Sequence, residues 1–121
     1  MTLEQRLSMI RSNVERLERR PAPVVTFNTQ AGTSYILTIN DANKTVETNS
    51  ASVNTVTVPP NVDVGFPIGT RVGVAQYGAG ATTIVAGVGV TLRGTLTVGA
   101  QYGVVSIVQR AANEWYVFGG A

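Results

Sequence analysis

The sequence predicts a mainly β protein: a short, coiled-coil-like N-terminal α-helix followed by a compact antiparallel β-sandwich or barrel. Three observations predict it. From Val24 onward, apolar and polar residues alternate and turn-forming residues recur about every 8–12 positions, the pattern of an all-β domain. Before that, Leu3, Leu7, Ile10, Val14 and Leu17 are spaced by four and three, a heptad seam with Leu7 and Val14 at a and the others at d. Pro21 and Pro23 separate the two regimes, because proline lacks the N–H that would continue a helix.

The expected organisation is therefore a helix over residues 1–20, a proline-containing spacer and first strand over 21–33, and an all-β domain over 34–121. Thr2-Leu3-Glu4-Gln5 has the form of a capping box, in which threonine and glutamine satisfy each other's free backbone N–H groups. Arg19 and Arg20 suit the negative end of the helix dipole. The seam fits self-association, docking on another protein, or packing on its own domain. Two heptads are marginal alone, so a bundle needs help from contacts between the β bodies.

Strands are expected over 24–29, 34–39, 44–48, 54–58, 71–76, 82–86, 90–94, 103–109 and 114–119. Between them, Asn40-Asp41-Ala42-Asn43, Pro59-Pro60-Asn61, Gly69-Thr70, Gly78-Ala79-Gly80 and Ala111-Ala112-Asn113 carry turn chemistry. In NTVTV, Val56 and Val58 should face in and Thr55 and Thr57 out. The last strand has Trp115 and Val117 on one face, Tyr116 and Phe118 on the other. It should be buried on both sides, or on one side by a neighbouring subunit; these aromatics are core or intersubunit residues.

Charge narrows the function. Residues 1–20 hold five basic and three acidic residues, which accounts for the whole net charge of +2. The body balances Lys44, Arg71, Arg93 and Arg110 against Asp41, Glu47, Asp63 and Glu114. Four scattered cations do not make the basic stripe that nucleic-acid binding requires. Threonines and asparagines are expected to supply the polar surface in place of charge. Without cysteine or histidine, the chain lacks thiolate ligands, the commonest metal ligand and the usual general base. Neither a signal-peptide pattern nor an apolar run of membrane-crossing length is read.

Residues 72–89 resemble a nucleotide-binding signature superficially. Gly78 and Gly80 match the first two glycines of G-x-G-x-x-G, but position 83 is threonine. The β-branched Thr82, Thr83, Ile84 and Val85 follow where a phosphate-binding helix would have to start. No acidic residue occurs between Asp63 and Glu114 to hold a ribose. The glycines are read instead as a hairpin turn, with Gly87, Gly89 and Gly94 at bends or close backbone approaches. Asp41 and Glu47 are the one nearby acidic pair in the body and are read as turn and surface residues. No catalytic residues, cofactor or metal site are expected, and an enzyme is not. Tyr77 and Tyr102 are the candidates for a surface that stacks on saccharide or contacts protein.

Residues 55–120 carry, in order, TVTVP, Phe66-Pro67-Ile68-Gly69-Thr70, Gln76-Tyr77-Gly78-Ala79-Gly80, Gly89-Val90-Thr91-Leu92-Arg93, Ala100-Gln101-Tyr102 and Asn113-Glu114-Trp115. This succession resembles a C-terminal β module of bacteriophage tail fibres and other appended minor virion proteins. The resemblance implies a structural and adhesive virion protein, commonly trimeric, without a cofactor. Its expected partners are further copies of itself, other virion proteins through the helix, and a host-surface glycan or protein. A small tail-associated fibre or tail-tip appendage is the first expectation; a capsid decoration or head-fibre protein is the alternative.

Overall fold

The computed structural model describes residues 2–9 and 24–119. Helix α1 covers residues 3–9 and opens on the expected capping box. The Thr2 backbone N–H donates to Gln5 Oε1 (2.8 Å) and the Gln5 N–H donates to Thr2 Oγ1 (3.2 Å). Leu3 and Leu7, the first two seam residues, are exposed rather than packed on the body. Ile10, Val14 and Leu17 lie outside the described residues.

Among the described residues nine strands follow where alternation placed them: β1 (Phe27–Gln30), β2 (Ser34–Ile36), β3 (Thr45–Thr48), β4 (Asn54–Val58), β5 (Arg71–Gln76), β6 (Thr82–Ala86), β7 (Thr91–Gly94), β8 (Val104–Ala111) and β9 (Glu114–Gly119). They form a six-stranded sheet, ordered β1-β3-β5-β8-β9-β7, and a three-stranded sheet, β2-β4-β6. From β1 to β6 the chain switches sheet at every connection, and within each sheet these strands pair in parallel. That is three turns of a flattened parallel coil.

The expected antiparallel domain is corrected accordingly: the sheets are mixed. Only β5–β8 and β8–β9 pair antiparallel among the named strands, while β7–β9 is again parallel. The physical reason lies in the connections. Parallel neighbours need a long crossover, and here each crossover is a short turn, a strand of the other sheet, and a second connection.

The two ends of the coil are closed differently. At the β5–β6 end, β8 runs antiparallel along β5, and Leu96 and Val98 exchange backbone bonds with Ile84 and Thr82 of β6. At the β1–β2 end no further strand follows among the described residues, and a polar plug covers the core. Gln30 donates to Asn28 Oδ1 (2.8 Å), and Asn28 donates to Tyr35 Oη (2.9 Å) and to Asp41 Oδ1 (2.8 Å). Tyr35 Oη and the Thr38 N–H both donate to Asp41 Oδ2, at 2.6 and 2.8 Å. Asp41, expected in a surface turn, is thus buried with its carboxylate fully engaged. Burial, then the hydrogen bond and charge of Asp41, raises the Tyr35 phenol above its ordinary range.

One core joins both sheets, with Val46, Val74, Val105 and Ile107 from one and Val56, Val58 and Ile84 from the other. Trp115 is 1% exposed and meets Phe66 edge to face, with ring centroids 5.5 Å apart. The expectation that threonine and asparagine stay outside fails at Thr48, Asn54, Thr70 and Thr82, which are buried. At the sheet edge, Glu114 bridges Arg93 (3.0 Å) and Arg110 (3.3 Å), tying β7, β8 and β9. The Arg93 hydrogen bond, aided by the charge of both arginines, holds the Glu114 carboxyl below its ordinary range. A depressed carboxylate stabilises the fold above its unfolded pKa and loses that contribution as pH falls through the folded value. In acid titration followed by circular dichroism, Glu114→Gln should therefore lower the melting temperature at neutral pH and narrow its gap to the parent as the carboxylate protonates.

Candidate recognition surface

The short connections at one corner of the coil stack on each other, and Gly78 and Gly80 belong to that stack. Thr48 O accepts the N–H groups of Tyr77 (2.8 Å) and Gly78 (3.0 Å), and Ser50 O accepts that of Gly80 (2.8 Å). Neither Gly78 nor Gly80 has a positive φ. A Cβ on Gly78 would run into the Ser50 backbone, and one on Gly80 into the Ser52 carbonyl. The expected hairpin is therefore corrected: the segment joins strands of different sheets, and its glycines let one turn lie directly on the next.

Behind the stack lies a buried polar ladder that alternation did not reveal. Thr82 Oγ1 donates to Asn54 Oδ1 (2.7 Å) and lies 2.7 Å from Thr48 Oγ1. Asn54 Nδ2 donates to the Ser52 (3.1 Å) and Gly80 (3.3 Å) carbonyls. Gln76 Oε1 accepts from the Thr82 N–H (3.2 Å) while its amide donates to Gly78 O (3.3 Å). These bonds satisfy turn carbonyls that face inward and hold the corner rigid.

That corner brings together the two tyrosines singled out in the sequence. Tyr77 leaves β5 directly, while Tyr102 precedes β8 and is tied back by its N–H to Gln76 O (2.6 Å). Their rings meet edge to face, with centroids 5.8 Å apart and planes at 72°. Tyr102 is 71% exposed and Tyr77 52%. Gln101 Nε2 donates to Tyr77 O (3.1 Å), locking the two turns together. The turns at this corner, residues 31–33, 49–53, 77–81 and 99–103, contain no charged residue. Chemically, the corner offers two aromatic faces at a steep angle with hydroxyl and amide groups around them, a surface for a neutral ligand.

Tyr102 also has φ +68°, whereas the two other non-glycine residues with positive φ among the described residues are asparagines. Asparagine tolerates that conformation in turns; for a bulky aromatic it costs on the order of 1 kcal/mol. Tyr102→Asn should accordingly raise stability by up to ~1 kcal/mol in urea unfolding. A destabilised variant would mean that ring contact with Tyr77 outweighs the backbone strain.

The other expected site residues lie elsewhere. Asp41 faces the interior and Glu47 the outside of its sheet, where Thr29 donates to it, so they form no carboxylate pair. Trp115 and Val117 are core, while Tyr116 and Phe118 remain 48% and 45% exposed on the opposite face of β9. Comparison with models of known protein families, with curated proteins and with solved structures returns no match.

Proposed function

We propose that this chain is a bacteriophage virion structural protein, a small tail-associated appendage whose β body contacts the host surface and which has no catalytic role. In this reading, α1 and the heptad seam beyond it gather copies into a trimer or dock them on another virion protein. The order of motifs over residues 55–120 supports the virion class. The exposed seam residues Leu3 and Leu7 leave an apolar stripe available for association. The observation that carries the contact role is the Tyr77–Tyr102 pair, presented on a rigid, uncharged turn stack with one member in strained backbone. A sugar ring stacks on such rings through its C–H face, so an uncharged host glycan is the ligand that fits best.

Antibody against the body, applied to intact virions, should label the tail. Unlabelled particles would contradict the virion assignment, and label on the shell would replace the tail reading by decoration of the head.

A further inference from the structure

We propose that the outward face of the six-stranded sheet is an interface between copies of this chain. This inference does not depend on what the tyrosine corner binds.

The face is lowest at its centre, over Gly73. In register across it lie Phe27, Thr45, Gly73, Ser106 and Phe118, one from each successive strand. Gly73 is mid-strand, its φ is not positive, and a Cβ there would lie 2.8 Å from Thr45 Oγ1, so the threonine side chain would have to turn away to admit one. The nearest obstacle here is a side chain, whereas at Gly78 and Gly80 it is backbone. Glycine inside a strand weakens it and marks places where another group comes close. The missing side chain leaves a groove of about 250 Å³ over β5, bordered by Val25, Lys44, Arg71 and Val104.

Large apolar groups flank the groove. Phe27 is 63% exposed on the β1 side, and Phe118 and Tyr116 are nearly half exposed on the β9 side. The Arg71 guanidinium lies 5.4 Å from the Phe118 ring centroid, so the ring is positioned without being covered. Aromatics grouped around a pocket with arginine are the usual anchors of a protein interface.

Charge selects a second copy as the occupant. The same face carries Lys44 and Arg71 together with Glu47, and among the described residues none of these forms an ion pair. A surface bearing both signs in a body of zero net charge is complementary to itself and repels no copy. The heptad seam on the same chain would raise the local concentration of such faces.

The chain has no cysteine, which allows a direct test on the full chain. Ser106→Cys places a thiol on the groove wall, and maleimide labelling is followed beside sedimentation velocity. The expected result is an oligomer in which Ser106→Cys labels at least ten-fold more slowly than the same substitution combined with Phe118→Glu. Phe27→Glu, on the other side of the groove, should accelerate labelling in the same way, with far-UV circular dichroism unchanged. A monomeric parent chain, or an oligomer in which Ser106→Cys labels fast, would overturn the proposal. A slow-labelling monomer would also overturn it, by putting the chain's own N-terminal segment on this face.

Discussion

Gly80→Ala is expected to destabilise the body by about 3 kcal/mol, the upper part of the range for overpacking a tightly built interior. The added methyl has no space, because the Ser52 carbonyl occupies it and Ser50 O lies within 2.8 Å of the same point. Both obstacles are backbone, so relief requires separating two stacked turns and breaking the Gly80 N–H to Ser50 O bond. The ladder through Asn54, Thr82 and Thr48 would then lose its alignment. Gly32→Ala is the matching control, since a Cβ there meets only Ser34 O at an ordinary 3.9 Å. Urea unfolding should separate the two by the full amount. Equal stabilities would mean that the turns do not stack as described.

Asp41→Ala is expected to cost about 3 kcal/mol by a different mechanism. The carboxylate accepts from Asn28, Tyr35 and the Thr38 backbone, and alanine would empty the buried position on which these part-buried donors converge. The damage should spread to β1, because Asn28 belongs to that edge strand and pairs there with β3. Hydrogen exchange should report faster opening of β1 and β2 than of β8 and β9. Stability should also respond to alkali. Since the folded Tyr35 pKa is raised, its contribution is complete below the ordinary value of 10.0 and is lost as pH rises through the folded one. Tyr35→Phe should remove that alkaline loss and lower stability at neutral pH, read from melting temperatures across the range.

The strand positions were legible because period-two alternation is local, and all nine strands lie within a few residues of their expected bounds. Their partners were not legible. Connections such as 49–53 and 77–81 have hairpin length, and only the structure reveals that each joins two different sheets. The register in the structure is nevertheless regular. Residues 45–58 align without a gap on 73–86 at an offset of 28, pairing Thr45 with Gly73 and Asn54 with Thr82 in the sheets themselves. That spacing places Ser50 beneath Gly78 and Ser52 beneath Gly80, the contacts that explain the two glycines. The polar ladder was hidden because buried threonine and exposed threonine look alike in sequence. Tyr77 and Tyr102 were identifiable singly as candidates, but their pairing depends on a backbone bond between distant segments. On β9, the two apolar faces were readable, and their different fates, core for Trp115 and open surface for Phe118, follow from which face meets the smaller sheet.

The central functional claim is that the stacked turns exist to present Tyr77 and Tyr102 to an uncharged glycan. Binding of the full chain to an array of neutral and acidic saccharides tests it most directly, with Tyr77→Ala and Tyr102→Ala measured alongside. The expected result is binding to neutral saccharides that falls about ten-fold in either variant while the melting temperature stays near that of the parent, consistent with ~1.4 kcal/mol for each aromatic contact. Binding that survives both substitutions, or that is confined to acidic saccharides, would contradict it.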